Sequence, residues 1–143
     1  EGYLWGQHCA LWKAYEGVYG DHFKAVFDFA NFIQCGQAVY PDGFNEMKPY
    51  IEYMHIKDAK EDGHVVPAGF GIGKIECILK DLKADDYHGF LSLEPHLGEF
   101  EGLSNLENGD MMKGLEKSDV GKFELAYQSL KNILERILTY MQQ

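Results

Sequence analysis

Residues 50–55 read Tyr50-Ile51-Glu52-Tyr53-Met54-His55, a short, largely aromatic and aliphatic stretch that ends in a potential metal ligand. Two further stretches share this pattern, Phe23-Lys24-Ala25-Val26-Phe27-Asp28 and Phe90-Leu91-Ser92-Leu93-Glu94. Each has the length and composition of a buried strand bounded by turn-forming residues. Parallel α/β sheets and barrels carry their chemistry at the C-terminal edge of the strands, so Asp28, His55 and Glu94 are predicted to converge there. Such a group suits a divalent cation and indicates a metal-dependent enzyme.

Helices are predicted between these strands. The spacing of apolar residues and the positions of proline and glycine predict helices over 4–16, 44–48 and 73–84. The remaining segments contain many glycine and polar residues, which predicts loops over 31–44, 60–73 and 97–117. Because strands alternate with helices, we expect a parallel sheet in a single domain that spans 1–143.

The last predicted element is a long amphipathic helix. Its apolar positions recur at the i, i+3, i+4 and i+7 spacing of a helix that packs on a sheet or barrel. The predicted buried row consists of Phe123, Ala126, Tyr127, Leu130, Ile133, Leu134, Ile137, Leu138 and Met141.

Composition excludes several classes of protein. A net charge of −10 argues against nucleic-acid binding, which needs clustered Lys and Arg. No apolar run is long enough to span a bilayer, so no membrane partner is expected. The three cysteines, Cys9, Cys35 and Cys77, form no Cys-x-x-Cys pair, which predicts reduced thiols in a cytoplasmic protein.

The residue types alone leave other interpretations of the three ligands open. Asp28 could form an Asx turn at the end of its strand, and His55 could be a buried, hydrogen-bonded histidine. Glu94 stands between an apolar strand and Pro95, where a buried carboxylate needs a partner such as a metal ion. Lys57 shares a strand face with His55 because side chains alternate along a strand.

Four motifs in a fixed order resemble a known family. They are Val26-Phe27-Asp28-Phe29-Ala30-Asn31, Tyr53-Met54-His55-Ile56-Lys57-Asp58, Pro67-Ala68-Gly69-Phe70-Gly71 and Gly89-Phe90-Leu91-Ser92-Leu93-Glu94-Pro95-His96. The series resembles the C-terminal half of the sugar phosphate isomerase/epimerase family, the xylose isomerase-like TIM barrels. The resemblance implies a (β/α)8 barrel in which these strands are numbers six to eight. The other strands, with a further glutamate ligand, are then expected upstream of Glu1.

The resemblance also implies a function. Asp28, His55 and Glu94 would bind one divalent cation, with Mn²⁺, Mg²⁺, Co²⁺ and Zn²⁺ as candidates. The substrate would be a sugar, keto-sugar or sugar phosphate, isomerised or epimerised by proton transfer through an enediolate. Glu94 would be a catalytic acid/base as well as a ligand.

Other residues receive expected roles at the same site. Asn31 and Lys57 would contact the substrate, and Asp58 would orient either His55 or a loop amide. The stretch Gly69-Phe70-Gly71-Ile72-Gly73 does not directly follow a strand and has the wrong glycine spacing for a phosphate-binding fingerprint. The family commonly has an acidic residue where this chain has Phe70, so Phe70 is expected to line the substrate pocket.

Three alternatives remain at this stage. One is a dehydratase that acts on an inosose-like polyol, from the same barrel family. Another is the related apurinic endonuclease branch, which the acidic composition disfavours. The last is a catalytically incompetent fragment or binding module, and a homo-oligomer is left open in every case.

Overall fold

A computed structural model of the chain describes residues 24–95 and 119–140. Its centre is a parallel sheet of three strands, β1 (Ala25–Asp28), β2 (Ile51–Ile56) and β5 (Phe90–Leu93), in the order β1-β2-β5. Two short strands, β3 (Asp58–Ala59) and β4 (Val65–Val66), form a separate antiparallel pair. The three predicted strands and their parallel arrangement are therefore confirmed.

Four α-helices accompany the sheet: α1 (Phe29–Gln34), α2 (Phe44–Met47), α3 (Ile75–Ala84) and α4 (Asp119–Tyr140). A π-helical turn, Val39–Gly43, precedes α2, and a 3₁₀ turn, Lys48–Tyr50, follows it. The helices predicted over 44–48 and 73–84 are confirmed. The mixed α/β class is confirmed as well, while the eight-stranded barrel stays a prediction.

The hydrophobic core lies on one face of the sheet. Phe27 of β1 and Met54 of β2 are fully buried there, as expected from the alternation of side chains along a strand. The Phe27 ring packs against three other rings, with centroid distances of 5.3, 4.8 and 5.8 Å to Phe29, Phe32 and Phe44. Each aromatic pair adds about 0.5–1.5 kcal/mol beyond the burial of its area. This cluster fixes β1 and its neighbouring helices, and therefore the position of Asp28.

The opposite face of the sheet is more open. Val26, Tyr53 and His55 are only partly buried, and Phe90 is 79% exposed. These residues have the same strand parity as the predicted ligands. The candidate site therefore lies on the open face, at its C-terminal edge.

The segment 31–44 was predicted to be a loop, and this is wrong in part. It contains the end of α1 and the π-helical turn Val39–Gly43. Helix α1 begins because the Asp28 side chain accepts a hydrogen bond from the Asn31 N–H, an N-cap at 3.0 Å. Burial of Phe29 and Phe32 on one side of the helix stabilises it further. Gly36, with φ +66°, follows it in a left-handed conformation that suits glycine.

The loop predicted over 60–73 is also wrong in part, because β4 lies within it. Asp58 pairs with Val66 and Ala59 with Val65 in an antiparallel register. The turn between the strands is closed by two hydrogen bonds, from Lys60 N to the His64 carbonyl and from Gly63 N to the Lys60 carbonyl, each 2.9 Å. These strands are too short to show an alternating pattern in the sequence.

Helix α4 is confirmed, but its predicted buried row is too wide. The buried positions are Leu125, Ala126, Ser129, Leu130, Ile133 and Ile137. Phe123, Tyr127 and Leu138 were predicted to be buried and are 52%, 46% and 53% exposed. The helix packs on α3 and β5 through one stripe, so apolar residues beside that stripe point away from the core.

Several predicted features lie outside the described residues. They are the helix over 4–16, the loop over 97–117, the ligand position upstream of Glu1, and the residues Cys9, His96 and Met141. In the part of the chain that the structure describes, no helix is both long enough and apolar enough to cross a membrane.

Candidate metal centre

The register of the sheet brings the three predicted ligands together. Asp28 at the end of β1 is paired with His55 of β2, and His55 is paired with Ser92 of β5. Glu94 lies two residues beyond Ser92, where its backbone N–H approaches the Ile56 carbonyl at 3.5 Å. One ligand atom from each of Asp28, His55 and Glu94 lies within 4.8 Å of the others. This group can hold a metal ion.

Two carboxylate oxygens form the centre of the group. His55 Nδ1 lies 3.0 Å from Glu94 Oε2 and 3.5 Å from Asp28 Oδ2. Lys57 Nζ lies 2.8 Å from the same Glu94 oxygen and 3.0 Å from the same Asp28 oxygen. Lys57 thus reaches the cluster from the strand face that it was predicted to share with His55.

The two oxygens of Asp28 have different surroundings. Asp28 is 2% exposed, and its Oδ1 accepts the α1 cap hydrogen bond from Asn31 N. Its Oδ2 is buried, forms an ion pair with the Lys57 ammonium at 3.0 Å and lies 3.5 Å from His55 Nδ1. Because Lys57 is shared with Glu94, one positive charge serves two carboxylates, and a bound cation would balance the remainder. Oδ1 caps helix α1 by a bond to the residue three positions on, and this differs from the Asx turn considered for Asp28, while Oδ2 faces the cluster.

The charge of the cluster is −1 when His55 is neutral, since two carboxylates face one ammonium group. Burial lowers the pKa of Lys57, but its hydrogen bond to Glu94 and its contact with Asp28 outweigh that influence and leave the pKa above its ordinary value. Lys57 is therefore charged at neutral pH. The remaining negative charge favours the entry of a cation.

Asp58 follows Lys57 and has a separate structural role. Its carboxylate is 1% exposed and accepts four backbone hydrogen bonds, from the N–H groups of Ala59, Gly69, Gly71 and Gly73 at 2.9, 3.1, 3.0 and 2.9 Å. Burial raises the pKa of Asp58, while these four hydrogen bonds act in the opposite direction. Of the two predicted roles for Asp58, orientation of loop amides is the one observed.

Glycine is required at positions in this loop where the backbone lies too close to Asp58 and Ala59 for a side chain. A Cβ atom at Gly71 would collide with the Ala59 carbonyl and with the Asp58 carboxylate, and one at Gly73 would lie 2.7 Å from Asp58 Oδ1. Gly69 has φ +85°, a left-handed conformation that disfavours other residues. The glycine loop therefore surrounds a carboxylate of its own chain, in agreement with the rejection of a phosphate fingerprint.

The other predicted site residues have different positions. Asn31 contacts the cluster through its backbone N–H, which donates a hydrogen bond to Asp28 Oδ1. Phe70 lies on the glycine loop and is 38% exposed. Its backbone N–H donates a hydrogen bond to the Pro67 carbonyl. Substrate contacts of Asn31, Lys57 and Phe70 stay predictions.

Tyr53 is a neighbour of the site that the sequence reasoning missed. Its ring centroid lies 5.5 Å from that of His55, with an interplanar angle of 61°. The signal was its position two residues before His55, which puts both side chains on the same strand face. Tyr53 therefore lies beside the imidazole that would bind the cation.

No family model, curated protein or solved structure matches this chain. The chemistry of the described residues is therefore the basis for assigning a function.

Proposed function

We propose that this chain provides the cation site of a metal-dependent isomerase or epimerase acting on a sugar, keto-sugar or sugar phosphate. The observation that supports this most is the convergence of one ligand atom from each of Asp28, His55 and Glu94 within 4.8 Å of one another, with a single ammonium group, that of Lys57, to balance two carboxylates. The position of this group at the C-terminal edge of parallel strands is where α/β proteins carry catalytic groups.

The donor atoms suit one divalent cation, with Mn²⁺, Mg²⁺, Co²⁺ and Zn²⁺ as candidates. Two carboxylates supply hard oxygen ligands, and one imidazole supplies nitrogen, a combination that Mn²⁺ accepts. The spacings of 3.0 and 3.5 Å from His55 Nδ1 to Glu94 Oε2 and Asp28 Oδ2 are those of adjacent ligands on one metal ion. A set of three protein ligands leaves coordination positions for substrate oxygens.

A bound divalent cation would supply Lewis-acid polarisation of a substrate carbonyl, which acidifies the neighbouring C–H bond. Glu94 is the residue placed to take that proton, because its side chain is 29% exposed and its oxygen lies at the cluster centre. The electron pair of the broken C–H bond forms the carbon–carbon double bond of an enediolate. Return of the proton from Glu94 to the adjacent carbon, with transfer of the hydroxyl proton between the two oxygens, gives isomerisation. Delivery of a proton to the opposite face, which requires a second acid on that side, gives epimerisation.

The neighbours of Glu94 have supporting roles. Asp28 is the most buried of the proposed ligands and is fixed by its cap hydrogen bond to Asn31, so it anchors the group. Lys57 carries N–H donors that can bind an oxygen of the substrate or of the enediolate. Tyr53 packs edge-on against the His55 ring and can help to orient it.

The test is the exchange of substrate carbon-bound hydrogen with solvent. The protein is incubated in D₂O with MnCl₂ and a panel of ketopentoses, ketohexoses and their phosphates, and the proton NMR signal next to the carbonyl is followed. We expect loss of that signal for at least one compound with the wild type. Glu94→Gln should abolish exchange while leaving the circular dichroism spectrum unchanged.

Glu52→Gln is the matched control, since Glu52 is an exposed carboxylate on strand β2. It should exchange at the wild-type rate. Full exchange activity in Glu94→Gln would contradict the proposal. Binding of Mn²⁺ without exchange of any compound would instead favour a binding module over an enzyme.

A further inference from the structure

Lys57 contacts the same two oxygens that a cation would use. Its Nζ lies 3.0 Å from Asp28 Oδ2 and 2.8 Å from Glu94 Oε2, and these are also the oxygens nearest to His55 Nδ1. Lys57 itself is only 8% exposed. The ammonium is therefore held within the candidate metal centre and is not a flexible surface group.

We propose that Lys57 competes with the divalent cation for Asp28 Oδ2 and Glu94 Oε2, and in protein stripped of metal supplies the positive charge that bridges the two carboxylates. This inference depends on the proposed cation site. Lys57, which was expected to contact the substrate, is then also expected to lower the affinity of the site for a metal ion. Lys57 is thus a positioning residue for the two carboxylate ligands.

The charge of Lys57 affects both cation binding and the stability of the metal-free protein. A single ammonium and a divalent cation that share two oxygen ligands repel each other strongly, because Lys57 and Asp28 are nearly buried and water screens the two charges only in part. Conversely, two carboxylates at this distance need a positive charge between them, and buried carboxylates without one are destabilising. Removal of the lysine charge should therefore strengthen cation binding and weaken the metal-free fold.

Cation binding also changes what Lys57 can do for a substrate. Once the carboxylates are neutralised by a metal ion, the ammonium no longer has to bridge them. Its N–H donors then become available to an oxygen atom of the substrate that carries negative charge. The class of ligand favoured by this arrangement is an oxyanion adjacent to the metal-binding oxygens.

The experiment measures Mn²⁺ affinity and thermal stability in the same variants. Lys57→Met keeps the aliphatic stem and removes the charge, while Lys57→Gln keeps an NH₂ donor group and also removes the charge. Isothermal titration with MnCl₂ gives the affinity, and melting curves are recorded in EDTA and in excess MnCl₂. Lys80→Met is the matched control, because Lys80 forms an ion pair at 2.8 Å with Glu76 on the surface.

We expect both Lys57 variants to bind Mn²⁺ at least about tenfold more tightly than the wild type. In EDTA their melting temperatures should fall by at least about 4 °C, and excess Mn²⁺ should remove most of that difference. Lys80→Met should match the wild type in both measurements, because exposed pairs are weak and screened. A Lys57 variant that folds only in Mn²⁺ would support the inference in its strongest form.

Tighter Mn²⁺ binding together with a lower melting temperature in EDTA indicates competition, whereas simple damage to the fold would lower both the affinity and the melting temperature. Equal or weaker Mn²⁺ binding by both Lys57 variants would overturn the competition and leave the cation site intact. If neither the wild type nor any variant binds Mn²⁺, the proposed cation site and this inference are both wrong.

Discussion

Asp28 and Asp58 are both buried carboxylates near the ends of strands, yet their surroundings differ. Asp58 accepts four backbone hydrogen bonds, so both of its oxygens are satisfied by the chain itself. Asp28 has one oxygen that accepts a backbone hydrogen bond and one that faces only the Lys57 ammonium and the His55 ring. The supply of donors around a buried carboxylate thus separates a structural role from a capacity to bind a cation. Residue type and burial alone would have ranked the two residues as equal candidates.

The largest effect that this comparison predicts is the loss of stability in Asp58→Asn. In the wild type, all four backbone N–H groups donate to a carboxylate oxygen. Asparagine replaces one of these oxygens with an NH₂ group, so at least one buried N–H donor loses its acceptor. We expect the free energy of unfolding in urea, measured in EDTA, to fall by at least about 3 kcal/mol. Asp62→Asn, at an exposed position in the neighbouring turn, should change it by less than about 0.5 kcal/mol.

A loss below about 1 kcal/mol in Asp58→Asn would show that the four hydrogen bonds contribute little to stability. The assignment of Asp58 to loop structure would then be wrong, and the comparison with Asp28 would lose its basis. Addition of Mn²⁺ should leave the cost of Asp58→Asn unchanged, because this carboxylate is not a proposed ligand.

The next effect concerns the glycine loop that surrounds Asp58. A Cβ atom at Gly71 would meet the Ala59 carbonyl and the Asp58 carboxylate, neither of which is a flexible side-chain end. Gly71→Ala should therefore cost about 2–3 kcal/mol in urea unfolding. At Gly36, which has φ +66° and where an added Cβ would meet no atom within 4 Å, alanine should cost only about 1 kcal/mol. Equal costs at the two positions would contradict the close packing of loop and carboxylate.

The smallest effect belongs to an exposed carboxylate, Glu76. Hydrogen bonds from Lys80 and Arg136 hold the pKa of Glu76 below its ordinary value. A lowered pKa in the folded state stabilises the protein above the unfolded pKa, and that contribution is lost as the pH falls through the folded pKa. Arg136→Met should therefore cost less than about 1 kcal/mol at neutral pH. The difference from wild type should shrink below about pH 4, and a pH-independent difference would show that packing of the Arg136 stem is responsible.

The sequence predicted the sheet and the three ligands because both depend on local patterns. Strands of four to six apolar residues are visible directly, and the parallel arrangement then places Asp28, His55 and Glu94 at one edge. The same alternation explains why Lys57 lies with them.

Features that depend on distant partners were predicted less well. The glycine loop is held by Asp58 from 11 to 15 residues away, and only alternate glycines in the sequence hint that their amides could face one acceptor. Helix α1 depends on the cap supplied by Asp28, and most of it falls in a segment whose composition predicts a loop. In α4, Leu125 is buried and Phe123 is exposed because of the way the helix packs on α3 and β5. The periodicity of α4 alone carries no information about those two partners.

The central claim is that Asp28, His55 and Glu94 form a divalent-cation site. Isothermal titration of the wild type and of Asp28→Asn with MnCl₂ tests it most directly, since asparagine retains the α1 cap and replaces the proposed ligand oxygen, Oδ2, with an NH₂ group. We predict one Mn²⁺ bound per wild-type chain and at least about a hundredfold weaker binding by Asp28→Asn. Asp62→Asn should bind Mn²⁺ as the wild type does. An absence of Mn²⁺ binding to the wild type, or equal binding by Asp28→Asn, would contradict the claim.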